Sequence, residues 1–118
     1  MSWSSWAWLD IDRIDEDMVR LNEQLRRAGD PARIRYTYLE HDPYLEGYWI
    51  VWATLEMPPP DDPDEPDCWL HETHQKYRQI LEDFYADEYR IFTMHEFRTA
   101  EELADPRSAR GRPVPEAA

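Results

Sequence analysis

Cysteine, glycine and basic residues are all scarce in this chain, and each scarcity removes a class of function. A single cysteine, Cys68, excludes an internal disulfide and suits a reducing compartment. Three glycines in 118 residues leave no glycine-rich loop to cradle a phosphate. No apolar run reaches the length that spans a bilayer. The opening Met-Ser-Trp-Ser-Ser-Trp has neither the basic nor the apolar stretch of a secretory signal, so a cytoplasmic location is expected. Thirteen Lys and Arg stand against 26 Asp and Glu, a formal charge of −13. Direct binding to nucleic acid or to an anionic membrane would have to overcome like-charge repulsion. An acidic chain is steered instead toward a basic partner.

Apolar residues are plentiful at 42%, with 14% aromatics, which predicts a globular domain with a true core. Residues 47–56, Gly-Tyr-Trp-Ile-Val-Trp-Ala-Thr-Leu-Glu, form the most apolar run. Both of its alternating faces are apolar, which predicts a strand inside a sheet, ended by Pro58-Pro59-Pro60. Residues 6–11 alternate in the same way and predict a first strand. Ile14, Met18, Leu21, Leu25 and Ala28 recur at helical spacing over residues 12–28, with acids early, arginines late and Gly29 as the stop. Residues 33–40 alternate with one polar face and predict an edge strand, joined to residues 47–56 by a hairpin loop.

Residues 58–67 hold five prolines and five acids and read as an extended linker. A second helix, capped by Asp62 or Asp67 and running to about Ala86, carries the stripe Leu70, Thr73, Tyr77, Ile80, Leu81 and Phe84. Residues 89–97 predict the last strand, and Thr99-Ala-Glu-Glu102 matches a capping box for one short helical turn. The expected organisation is one α+β domain over residues 1–104 and a disordered tail over residues 105–118. The order β-α-β-β-α-β predicts a ferredoxin-like sandwich, a four-stranded antiparallel sheet with two helices on one face. The uncovered face would then carry Trp6, Trp8, Tyr48, Ile50, Trp52, Phe92 and Met94. An apolar patch of that size marks an interface unless the tail or the linker folds over it.

Cys68, His71 and His74 follow a C-x2-H-x2-H spacing, but no second ligand pair accompanies them, and solvated helix residues are the simpler account. His71-Glu-Thr-His74 is one residue short of the metalloprotease spacing. Glu40-His41-Asp42 and His95 are the acid–base candidates, and a lone strand histidine is more often a hydrogen-bonded structural residue. No metal, cofactor or catalytic constellation is expected. Base stacking on an open sheet, as in RNA-recognition domains, is opposed by the charge and by the lack of the Lys/Arg-Gly-aromatic motif.

The leading expectation is a non-enzymatic interaction protein that blocks a basic protein, with nucleic-acid-binding proteins among the candidates, in the manner of phage-type inhibitors and immunity proteins. Its contact residues would be Asp61, Asp62, Asp64, Glu65 and Asp67, then Glu82, Asp83, Asp87 and Glu88, with Trp6, Trp8 and Trp52. Such acid clusters imitate spaced phosphates, or form a solvated rim. The second expectation is a dimeric α+β barrel in which two open sheet faces enclose a small apolar molecule, with His95 and Tyr36 or Tyr38 in the cavity.

Overall fold

A computed structural model describes residues 10–59 and 66–116, apart from the side chains of residues 66–70. Asp10 opens the described chain as an N-cap, its carboxylate accepting from the Arg13 amide at 2.9 Å. Helix α1 (Ile11–Arg27) follows and buries Ile14, Met18, Leu21 and Leu25 along one stripe. It ends in a Schellman motif. Gly29 takes φ +71°, the Gly29 amide reaches the Arg26 carbonyl and the Asp30 amide reaches that of Leu25.

Strands β1 (Arg33–His41) and β2 (Trp49–Glu56) form an antiparallel hairpin. Helix α2 (Pro66–Phe84) leads to strand β3 (Ile91–Arg98), which lies beside β2 and runs parallel to it. Thr99 caps a short helix α3 (Ala100–Leu103) through a full capping box with Glu102. Last, the pair Arg112–Pro113 makes strand β4 against β1, giving the sheet order β3-β2-β1-β4.

Four sequence expectations differ from the described structure. The sheet is mixed, not antiparallel throughout, because β2, α2 and β3 form one crossover unit whose strands are immediate neighbours. The described residues do not show the β-α-β-β-α-β order of a ferredoxin-like sandwich. Within the strand expected over residues 6–11, Asp10 and Ile11 are the cap and first turn of α1, while Trp6 and Trp8 lie outside the described residues. The tail expected over residues 105–118 is ordered at least through Val114, which is 9% exposed and whose amide bonds the Arg35 carbonyl at 2.8 Å. Pro113 is tolerated there because β4 lies at the sheet's margin and pairs on one side only.

One buried cluster joins both long helices to one sheet face. It includes Ile14, Met18, Leu21 and Leu25 of α1, Ile34, Val51, Ala53, Leu55 and Ile91 of the sheet, and Tyr77 and Leu81 of α2. The register slips between Ile34 and Tyr36, leaving Arg35 as a bulge. Strict alternation would set Ile34 with Tyr36 and Tyr38. The bulge instead sets Ile34 with Thr37 on the helix-covered face and sends Tyr36 and Tyr38 to the outer face, opposite Thr54 and Trp52.

Two phenols fasten α2 to α1. The Tyr77 hydroxyl donates to Asp30 at 2.5 Å, and the Tyr85 hydroxyl donates to Asp17 at 2.9 Å. Burial alone would raise both carboxylates. It does raise Asp17, whereas Asp30 is held below the usual range by Lys76, Tyr77 and the Ala32 amide. Both phenols are pushed far up, by burial first and then by their carboxylate partners, so they remain donors at any physiological pH.

Candidate partner-binding site

The outer face of the sheet is divided into a covered half and an open half. At the end where β2 finishes, Thr54 donates to Glu96 at 3.0 Å and is 2% exposed. Residues 99–111 form an arm that crosses this end from β3 to β1. The Arg98 guanidinium donates to the Ser108 carbonyl at 2.8 Å, and the Arg110 guanidinium lies 4.1 Å from the Trp52 ring centroid. The Trp52 indole donates to Glu40 at 2.9 Å, so Trp52 is a seat for the arm as well as a surface aromatic.

Beyond the arm the face stays open: Tyr38 and Met94 flank Trp52 in one cross-strand row, and Phe92 lies nearer the start of β2. Tyr38 is 39% exposed, Phe92 41% and Met94 46%. Phe92 stacks on Tyr48 with centroids 5.5 Å apart, and Tyr89 meets Tyr48 edge-on. The β1–β2 turn beside them exposes Tyr44 and Leu45. That turn is shaped by the Asp42 carboxylate, which accepts from the Tyr44 and Leu45 amides at 2.8 and 3.0 Å. Glu40, Asp42 and Glu46 thus give an acidic margin to an apolar patch.

Around the outer edge of β3 the patch continues into a cleft of about 870 Å³. Ile50, Phe92 and Met94 line its outer side, and His74, Arg78, Glu82 and His95 line the side beneath α2. His74 Nδ1 and His95 Nε2 are 2.8 Å apart, and both rings pack on Phe97. Burial, then His74 and Arg78, push His95 down to about 4. At neutral pH His95 is therefore uncharged, and the shared bond occupies one nitrogen of each ring. Among the described residues no group of three or more His, Cys, Asp or Glu is placed to hold a metal ion.

The buried pair makes acid destabilising. Unfolding releases His95 to its ordinary value of 6.5, so the unfolded chain binds more protons between pH 6.5 and about 4. Stability from this group is present above pH 6.5, falls as pH drops through that window and levels off below it. Denaturant midpoints at about pH 7 and about pH 4.5 should differ less for His95→Gln than for the parent. Equal losses in the two proteins would refute this role for His95.

The acidic contact residues expected from the sequence fall into three groups. Asp61, Asp62, Asp64 and Glu65 lie outside the described residues, as do Trp6 and Trp8, and Asp67 belongs to α2 with its side chain not described. Glu82 is ion-paired with Arg78 at 2.9 Å, and Glu88 bonds Arg13. Asp83 accepts from Gln79 at 2.7 Å, and Asp87 is exposed. Among the described residues, exposed apolar side chains are therefore grouped more tightly than unpaired acids. The arm is the tail folding over the sheet, which the sequence offered only as the alternative to an open face. No protein-family model, curated protein or solved structure matches this chain.

Proposed function

We propose that the protein is an acidic, non-enzymatic binding module that docks on a basic partner protein and blocks the surface it covers. The observation that carries this is the divided outer face. A built-in arm covers Trp52 and the end where β2 finishes, while Phe92 and Met94 on β3 and the rim of Tyr38 stay exposed, with an acidic turn beyond them. An apolar centre with a charged margin is the usual layout of a protein-docking surface. The net charge of −13 then favours a basic partner and speeds its approach. The acids of residues 61–67 enter this reading as a further source of steering charge. A barrel built from two face-to-face sheets is less favoured, because the arm occupies part of the face that would have to pair.

Selection of a random short-peptide display library against the folded protein tests the reading. Enriched peptides should combine Lys or Arg with apolar residues, and Met94→Glu should weaken their binding by about tenfold or more. Reversing Asp61, Asp62 and Asp64 to Lys should slow association, and salt should weaken it in parallel. Enrichment of neutral or acidic peptides, or binding indifferent to all of these changes, would overturn the proposal. Size measurement of the free protein provides the remaining arm. A stable dimer that buries Phe92 and Met94 would mean that the patch serves self-association.

A further inference from the structure

We propose that the outer edge of β3 is a strand-docking site, which takes an extended, Lys- or Arg-bearing segment of a partner as an added strand. This rests on the protein-binding reading above and specifies how the partner is held.

Sheet register fixes which backbone groups are available. The Trp49 amide donates to the Arg90 carbonyl at 2.8 Å, and the Met57 amide donates to that of Arg98 at 2.9 Å. In a parallel pair the peptide groups of alternate residues point to the same neighbour. Phe92, Met94 and Glu96 therefore turn their N–H and C=O groups toward β2. Thr93 and His95 turn theirs outward, where no described strand lies beside β3. A row of outward N–H and C=O groups is a template for another strand.

Both sides of this edge are prepared for an added strand. The cleft of about 870 Å³ straddles it, with Phe92 and Met94 on one side and His74, Gln75 and the Arg78–Glu82 ion pair on the other. A docked strand would send alternate side chains to an apolar and to a polar surface. Edge strands are commonly protected by lysine, proline or a bulge. The sequence Ile91-Phe-Thr-Met-His-Glu-Phe-Arg98 has no lysine or proline, and its register with β2 runs without a slip. Charge selects the occupant. The nearby turn carries Asp42 and Glu46, the end of β1 carries Glu40, the chain after α2 carries Asp87, and the whole chain carries −13, so a cationic segment gains and an anionic one is repelled.

The test uses a capped peptide of about seven alternating Lys and Val residues, and an analogue of the same sequence with alternate backbone nitrogens methylated. The parent protein should bind the first at least about tenfold more tightly than the second, and the first should slow hydrogen exchange at the Thr93 and His95 amides. Thr93→Pro should keep the fold, because that N–H points away from the sheet, yet lose the peptide. The methylated peptide and the exchange pattern remain decisive if that variant does not fold. Equal, salt-weakened binding of both peptides, with no protection at Thr93 and His95, would overturn strand addition and leave docking of a basic partner standing. Failure of both peptides to bind would also overturn strand addition, and the display selection would then decide the wider reading separately.

Discussion

Replacing Leu81 by Ala is expected to cost about 2–5 kcal/mol, seen as a lower denaturant midpoint with an unchanged slope. Leu81 is 2% exposed and belongs to the cluster that joins α2 to α1 and the sheet. It sits one turn from Tyr77 and one turn from Tyr85, the residues whose hydroxyls reach Asp30 and Asp17. The two phenol bonds hold the chain at fixed distances one turn before and one turn after Leu81, so this part of α2 cannot settle inward to fill the space that truncation leaves. Incomplete relaxation is what puts a truncation in the upper part of that range. Gln79→Ala, at an exposed position of the same helix, should stay within about 0.5 kcal/mol of the parent. Matching midpoints for Leu81→Ala and Gln79→Ala would show that α2 is not seated on the sheet as described.

Much of this packing was legible in the sequence because it depends on local periodicity. Ile14, Met18, Leu21 and Leu25 announced α1 to within a residue at each end, and Tyr77 and Leu81 were placed on the inner stripe of α2. The two-sided apolar pattern of β2 correctly put it inside the sheet, and Thr99 with Glu102 announced the cap of α3. Strand direction was not legible, because alternation is the same whichever way a neighbour runs. The connection through α2 was the available clue, since a helical crossover is how parallel neighbours are joined. Arg35 was misread for a different reason. A bulge adds one residue without altering composition, and it moved Tyr36 and Tyr38 to the face opposite Ile34.

The site was less legible than the fold because its parts come from distant segments. His74 and His95 were each singled out, but their 2.8 Å contact depends on where α2 crosses β3. Phe92 and Met94 were placed correctly on the uncovered face, while Trp52 proved to be half of an internal contact with Arg110. Composition suggested a disordered tail because residues 105–116 have few apolar side chains. The arm is held by means that composition does not record. A guanidinium lies on an indole, Arg112 bonds Asp15 and the Ile11 carbonyl, and Val114 enters the core. An arm fixed in this way leaves the open patch along β3, beside the edge proposed to take a strand.

Gly111→Ala is the sharpest probe of that arm and is expected to cost about 2–4 kcal/mol. Gly111 takes φ +78°, a region that L-residues enter at a cost of about 1–2 kcal/mol. A Cβ there would also lie 2.0 Å from the Thr37 carbonyl oxygen and 2.8 Å from the Tyr38 Cβ. The nearest atom is strand backbone, which cannot swing aside as a side-chain tip would, so the arm must lift. Lifting it breaks the pairing of Arg112 with Thr37, withdraws Val114 from the core and takes Arg110 off Trp52. Gly29 separates the two contributions. Its φ of +71° is nearly the same, but an added Cβ meets nothing within 4 Å. Gly29→Ala should therefore show only the backbone cost of about 1–2 kcal/mol. A chain ending at Asp105 should lose at least as much stability as Gly111→Ala, and both should bind more of an apolar dye through the newly exposed half of the outer face. If Gly111→Ala proved no more costly than Gly29→Ala, and the shortened chain unfolded at the parent midpoint, the arm would be an ornament on the sheet and not part of its stability.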